Sequence, residues 1–207
     1  MKLLLINGSA HAKGSTWAAL SEVEGALKEE GIETELFHIG VSPIQSCTQC
    51  GVCHEKGDGL CVYDDAVNVA KKKVSGVDGF VFGSPVHYAS ASGGITAFLD
   101  RFFFSGGDFA FKAGAAVAVA RRAGTTVTLD QLNKYFSISG MMTVGSLYWN
   151  GVYGADAEEV RKDGEGMHTM RVLGRNMAWL LKSVEAGRKA GVQLPKTEPK
   201  VWTNFIR

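Results

Sequence analysis

Apolar residues fall along the chain in two kinds of run. Residues 2–6, 77–83 and 114–120 are short and nearly continuous, built on Leu3-Leu4-Leu5-Ile6, Phe80-Val81-Phe82 and Ala115-Ala116-Val117-Ala118-Val119. That pattern suits strands buried on both faces. Residues 32–39 instead alternate, Ile32, Thr34, Leu36 and His38 opposing Glu33, Glu35, Phe37 and Ile39, as in an outer strand. Residues 141–147 read as a last strand, and Ser84-Pro85 is expected to end the strand at 77–83, on the ground that a residue before proline is pushed to extended geometry.

Helical spacing fills the intervals. Leu20, Val23 and Leu27 predict a helix over 15–30 stopped by Gly31. Asp64 or Asp65 caps a helix through Val67, Ala70, Lys71 and Val74. Ile95, Phe98, Leu99 and Phe102 mark 92–104; Leu129, Leu132 and Phe136 mark 125–136; Met170, Leu173, Met177, Leu180, Leu181 and Val184 mark 167–187, after a short helix at 155–162. Five strands alternating with helices predict a doubly wound α/β fold, a parallel sheet with right-handed crossovers and helices on both faces. The expected organisation is a single domain over 1–190 and an extended tail over 191–207.

Composition narrows the function classes. With a net charge of +1, the chain lacks the basic excess of a nucleic-acid or membrane-surface binder. Lys71-Lys72-Lys73 reads as the solvated face of a helix. The first apolar run is too short for a secretory signal, and no later one approaches the ~20 residues of a membrane span. A cytoplasmic location follows as the expectation, and with it reduced cysteines.

In a doubly wound sheet, ligands bind at the carboxyl ends of the strands. Three loops converge there: 7–16, 84–91 and 121–125. The first, Asn7-Gly8-Ser9-Ala10-His11-Ala12-Lys13-Gly14-Ser15-Thr16, joins a buried strand to a helix N-terminus, whose free N–H groups and dipole favour an anion. Gly8 and Gly14 have the spacing of a P-loop, but Ser15 stands where its lysine belongs, which disfavours ATP hydrolysis. The dinucleotide fingerprint fails as well, since Gly8-Ser9-Ala10 lacks the second glycine. A single terminal phosphate, as on a mononucleotide, or an unliganded tight turn remains.

The segment Gly83-Ser84-Pro85-Val86-His87-Tyr88, followed by Gly93-Gly94 and Phe98-Leu99-Asp100-Arg101, is more specific. With the Gly-Ser…Gly-Ser-Thr loop before it and residues 114–124 after it, the chain resembles the NAD(P)H-dependent FMN reductase branch of the flavodoxin-like superfamily. The resemblance implies a flavodoxin-like five-stranded sheet of order 2-1-3-4-5. It assigns Ser9, Gly14, Ser15 and Thr16 to the FMN phosphate, with His11 and Lys13 beside it. Ser84, Pro85, Val86, His87 and Tyr88 go to the isoalloxazine edge, and Arg121, Arg122 and Gly124 to the far rim. His87 replaces the commoner tyrosine, leaving open whether His87 or Tyr88 faces the flavin. His11 and Arg122 are also candidates for an NADPH 2′-phosphate.

All four cysteines lie in one loop, as Cys47-Thr48-Gln49-Cys50-Gly51-Val52-Cys53 and then Cys61. Two x2 spacings in a row bring thiolates into one small concavity, which suits a [4Fe–4S] cluster; free redox-active thiols, or zinc, are the alternatives. The motif resembles that of the iron–sulfur flavoproteins of the same superfamily, with Cys47, Cys50, Cys53 and Cys61 as the implied metal ligands.

The resulting expectation is an FMN-dependent oxidoreductase. NADPH, NADH or a ferredoxin would be the donor and a small molecule or protein the acceptor. No acid–base pair is needed, because the cofactor carries the chemistry. Such reductases commonly form homodimers or homotetramers, and the aromatic stretch Tyr148-Trp149 and the tail residues Trp202 and Phe205 are the candidate contacts. A flavodoxin-type carrier without enzymatic activity is the rival; such carriers are usually strongly acidic, which this chain is not.

Overall fold

A computed structural model describes residues 1–196, 198–199 and 201–205. The central strands are β1 (Lys2–Asn7), β2 (Glu33–His38), β3 (Gly79–His87) and β5 (Ala113–Ala120), all parallel, with β6 (Met142–Thr143) at the edge, in the order β2-β1-β3-β5-β6. This is the flavodoxin-like arrangement. Two further short strands bring the sheet to seven: β4 (Ser90–Ala91) folds back antiparallel on β3, and β7 (Gly151–Tyr153) lies parallel to β5.

The period-2 alternation of strand side chains divides the interior into two layers. Leu3, Leu5, Val81, Ala115, Val117 and Val119 face one side, where they meet α1 (Ser15–Glu29), α6 (Ala157–Lys162) and α7 (Gly164–Lys189). Leu4, Ile6, Phe80, Phe82, Ala116 and Ala118 face the other, against α3 (Ala66–Lys71), α4 (Gly93–Phe104) and α5 (Thr125–Ile138). That second layer is aromatic. Phe82 stacks on Phe136 at 5.3 Å, and Phe98 on Phe102 at 5.5 Å. A short helix, α2 (Val52–Lys56), lies within the cysteine loop.

Four expectations are corrected. First, β3 does not stop at Ser84-Pro85 but runs to His87. Its last pairing with β1 is Asn7↔Gly83, so beyond that point one flank is open, where a proline without an N–H is tolerated. Second, the helix after Asp65 ends at Lys71, and only a single 3-10 turn follows at Val74–Gly76. Third, the continuous strand expected at 141–147 is broken. β6 pairs only with Ala113 and Gly114, the chain then leaves the sheet, and β7 returns beside Ala118–Ala120. Asn150 bridges the gap: its Nδ2 donates to the Ala116 carbonyl at 3.0 Å, and its own carbonyl accepts from the Ala118 N–H at 3.0 Å. Fourth, Lys71 is not solvated. It is 7% exposed, donates to the carbonyls of Phe102 (3.0 Å) and Gly106, and lies 4.9 Å above the Phe109 ring, while Lys72 is exposed as expected. Burial lowers the Lys71 pKa to about 8.

Among the described residues no helix is long and apolar enough to cross a membrane.

Candidate functional site

The loop between β1 and α1 is shaped by Asn7, a fully buried side chain. Its Oδ1 accepts from the Ser9 N–H at 3.0 Å, and its Nδ2 donates to the carbonyls of His11 and Ala12, each at 3.3 Å. Ser9 Oγ accepts from the His11 N–H at 3.0 Å, and the Ser9 carbonyl lies 2.8 Å from Nε2 of His38, at the end of β2. Glycine is required at position 8: a Cβ there would sit 2.7 Å from Ile95 Cβ and 2.9 Å from the Gly83 carbonyl oxygen. The loop thus lies directly against β3 and the first turn of α4, and Ser92 Oγ fixes it further by donating to the Gly8 carbonyl at 2.8 Å.

This shape leaves donors open at the start of α1. Gly14, the residue before the helix, offers no side-chain cap, so the first-turn N–H groups lack one. Thr16 Oγ1 is buried with no hydrogen-bond partner. A buried hydroxyl without a partner is costly, and an anion seated on the helix N-terminus would satisfy it. His11 and Lys13 stand exposed at the rim of the loop, with Gly14 and Ser15 half-buried beside them. The site is therefore suited to a phosphate and is incomplete without an acceptor.

The two walls expected to flank a flat ring do meet. Ser84, fully buried, donates to the Pro85 carbonyl at 2.8 Å and accepts from the Ser92 N–H at 3.0 Å, which spends its hydroxyl inside the fold. Pro85 and Val86 are half-buried, and His87 and Tyr88 project from the tip of the β3–β4 hairpin. Tyr88, fully exposed, has φ 61°, a left-handed conformation unusual for a non-glycine residue. Arg121 and Arg122 are exposed after β5, and Gly124, with φ 89°, caps the N-terminus of α5. A Cβ on Gly124 would lie 2.8 Å from Val86 Cγ1, so the second and third loops are in contact.

The cysteine loop forms a separate site. Cys47, Cys50, Cys53 and Cys61 all line one concavity, together with Tyr63, Arg101, Phe104 and Ser105. None is in a disulfide; Cys53 is buried, Cys47 and Cys61 are partly exposed, and Cys50 is exposed. The chain turns tightly here through Gln49, Gly51, Gly57 and Gly59, all at positive φ. Burial pushes the Cys53 thiol above its ordinary range, and the neighbouring Cys61 and Cys50 add to the effect. The backbone of Cys61 is held on both sides by Asn68, which accepts from its N–H (2.8 Å) and donates to its carbonyl (2.9 Å). Its Sγ accepts from Arg101 Nε at 3.1 Å. Burial disfavours the Arg101 charge, but the bonds to Asp65 and Cys61 outweigh it and hold the guanidinium above its ordinary pKa. Ser105 Oγ, which also lines this concavity, is buried without a partner.

Sequence reasoning found the loops and the cysteines but not the residues that fix or line them: Asn7, His38, Asn68, Ser92 and Ser105. Asn7 had a local signal, an amide ending an apolar strand before a glycine. His38 and Ser92 act across 29 and 84 residues of chain, Asn68 through hydrogen bonds to Cys61, and Ser105 only lines the cavity. No local pattern marks them.

Comparison with known proteins agrees with this fold. Residues 1–156 match the family described as NADPH-dependent FMN reductase. The chain is 31% identical over 194 residues to an iron–sulfur flavoprotein of Methanocaldococcus jannaschii, covering 89% of this chain and 100% of the relative. Two solved structures share the fold at low identity. RosB, determined with a bound 8-demethyl-8-formylriboflavin-5′-phosphate intermediate, superposes with TM-score 0.68 at 14% identity, covering 100% of this chain and 92% of that one. An archaeal flavodoxin superposes with TM-score 0.60 at 12% identity, covering 88% and 99%. The chain belongs to the NADPH-dependent FMN reductase family and stands with its iron–sulfur flavoproteins.

Proposed function

We propose that this protein is an FMN-dependent oxidoreductase that carries a [4Fe–4S] cluster and takes its electrons from NADPH, NADH or a ferredoxin. Membership of the FMN reductase family supports the flavin chemistry. Ser9, Gly14, Ser15 and Thr16 would hold the FMN phosphate, with the unpartnered Thr16 hydroxyl and the uncapped first turn of α1 as the donors that fit it. The β3–β4 hairpin and the 121–124 loop would flank the ring, His87 and Tyr88 on one side, Arg121 and Arg122 on the other. Positive charge and N–H groups around a flavin favour its reduced, anionic form.

The observation that carries the proposal is the convergence of Cys47, Cys50, Cys53 and Cys61 on one concavity. A single zinc ion needs its ligands at roughly 2.0–2.3 Å from one point. Among the described residues no group of three or more His, Cys, Asp or Glu is drawn together as a set that could hold a metal ion, so what supports a cluster is the four-thiol donor set around one cavity and the likeness to iron–sulfur flavoproteins. Thiols spread around a common cavity suit the larger iron–sulfur core. When bound, the flavin would supply two-electron and the cluster one-electron chemistry. The chain's own part is to orient them: α4 touches the phosphate loop through Ser92 and Ile95 at one end and the cysteine cavity through Arg101 and Ser105 at the other. A second copy of this chain is the proposed neighbour of the exposed Tyr148 and Trp149.

The test is anaerobic purification, flavin, iron and sulfide analysis, and steady-state oxidation of NADPH and NADH with FMN present. About one flavin and four irons per chain with turnover of an acceptor is the expected result. Flavin without iron removes the cluster, and iron and flavin without turnover of any acceptor removes the enzyme.

A further inference from the structure

Every N–H of the Arg101 guanidinium is engaged, and one of its bonds ends on a cysteine sulfur. The residue is 1% exposed. Nε donates to Cys61 Sγ at 3.1 Å; Nη1 donates to the Gln45 carbonyl at 3.2 Å and to Asp65 Oδ2 at 2.5 Å; Nη2 donates to the Tyr63 carbonyl at 2.8 Å and to Asp65 Oδ1 at 3.0 Å. That uses all five N–H donors of the side chain. The Tyr63 ring lies 5.2 Å from its central carbon.

A bidentate Arg–carboxylate pair with its guanidinium buried and its carboxylate half-buried has a fixed plane. The Asp65 fork therefore fixes the direction in which Nε points, and Asp65 is itself anchored, since its Oδ1 accepts from the Val67 N–H as the cap of α3. Asn68, one turn further on, fixes the Cys61 backbone. Backbone and sulfur of Cys61 are thus both clamped, from α3 and α4 respectively. No corresponding bond from a cationic side chain to Cys47, Cys50 or Cys53 is present among the described residues.

We infer that Arg101 is a positioning residue that sets the reduction potential of the iron–sulfur group through its Nε–H···Sγ bond to Cys61. The inference rests on the proposal that the cysteines hold a cluster. Hydrogen bonds to ligand sulfur and nearby positive charge are established levers on cluster potential. Both stabilise the more negative, reduced form and raise the potential. The bond also makes Cys61 electronically distinct from the other three ligands, and it places the control on α4, the helix that contacts the phosphate loop at its other end.

The test uses the full chain, reconstituted anaerobically with iron and sulfide, and a redox titration followed by the spectrum of the reduced cluster. Arg101→Lys keeps the charge but cannot hold the Asp65 fork and reach Cys61 together. Its expected effect is a lower potential, with the oxidised-to-reduced ratio at a fixed poise raised at least tenfold, about 59 mV for one electron. Asp65→Asn retains an oxygen for the α3 cap but breaks the fork that aims Nε; the lost negative charge alone would raise the potential, so the expected lower potential reports the lost N–H···S bond and a higher one overturns the inference. If Arg101→Lys does not fold, judged by its flavin content, the sign of the Asp65→Asn shift decides alone. Potentials in both variants equal to the wild type overturn the inference while leaving the cluster intact. Wild-type protein that takes up no iron overturns the cluster reading and this inference with it.

Discussion

The contact between Gly124 and Val86 tests whether two of the three ligand-side loops form one wall. Gly124→Ala perturbs it in two separable ways. At φ 89° an alanine occupies the left-handed region, which costs an L-residue about 1–2 kcal/mol. Its Cβ also meets Val86 Cγ1 at 2.8 Å, well inside the ~3.5–4.0 Å of a relaxed carbon–carbon contact. Overpacking of that kind costs about 1–3 kcal/mol, so the single substitution should destabilise by about 2–5 kcal/mol. Val86 is half-buried, and Val86→Ala alone should cost about 1 kcal/mol. In the double variant the clash is gone and only the backbone term and the Val86 loss remain, about 2–3 kcal/mol together. The cycle should therefore show a coupling of about 1–3 kcal/mol, the pair being less damaging than the sum. Urea denaturation of the flavin-free protein measures it, with constant slopes confirming that stability alone has changed. Additivity within about 0.5 kcal/mol would refute the contact and the wall it builds.

Thr16→Val should leave the flavin-free protein as stable or up to about 1 kcal/mol more stable, because it removes a buried hydroxyl without a partner, and should weaken FMN binding about tenfold in a fluorescence titration. A loss of stability without FMN would mean that the hydroxyl is already satisfied. Ser105→Ala should behave alike at the other site: unchanged or higher stability without metal, but iron released to a chelator about fivefold faster, the effect of one lost hydrogen bond. Asn7→Ala removes three hydrogen bonds from a fully buried side chain and should cost about 2–4 kcal/mol by denaturant titration, with weaker FMN binding as well; a change under 1 kcal/mol would show that the loop holds its shape without it.

What could be read from the residues, and what could not, divides by the range of the interaction. The β1–α1 unit and the strand at β5 announce themselves locally, because a continuous apolar run bounded by glycine has few other uses. The broken edge does not. Met141 to Leu147 carries enough apolar residues for a strand, yet only Met142 and Thr143 pair, since Asn150 supplies from its side chain and carbonyl the bonds that a continuous strand would have made to Ala116 and Ala118. Pro85 misled for a related reason: the rule that proline ends a strand assumes partners on both sides, and β1 stops short of it. Lys71 shows the limit most sharply. Its neighbours in sequence are lysines, but its neighbours in space are Phe102, Phe109 and two carbonyls, and these come from the far end of α4 and the loop beyond it. The same helix end contributes Arg101 and Ser105 to the cysteine cavity. Cysteine spacing could announce a site for metal, but the groups that would tune it lie 40 residues or more away along the chain, on a helix that the pattern of Ile95, Phe98, Leu99 and Phe102 marks only as core. The side of α4 that carries Arg101 is where the packed core meets the cysteine cavity, and a buried, fully bonded cation on that side is the feature that no pattern of apolar and polar positions encodes.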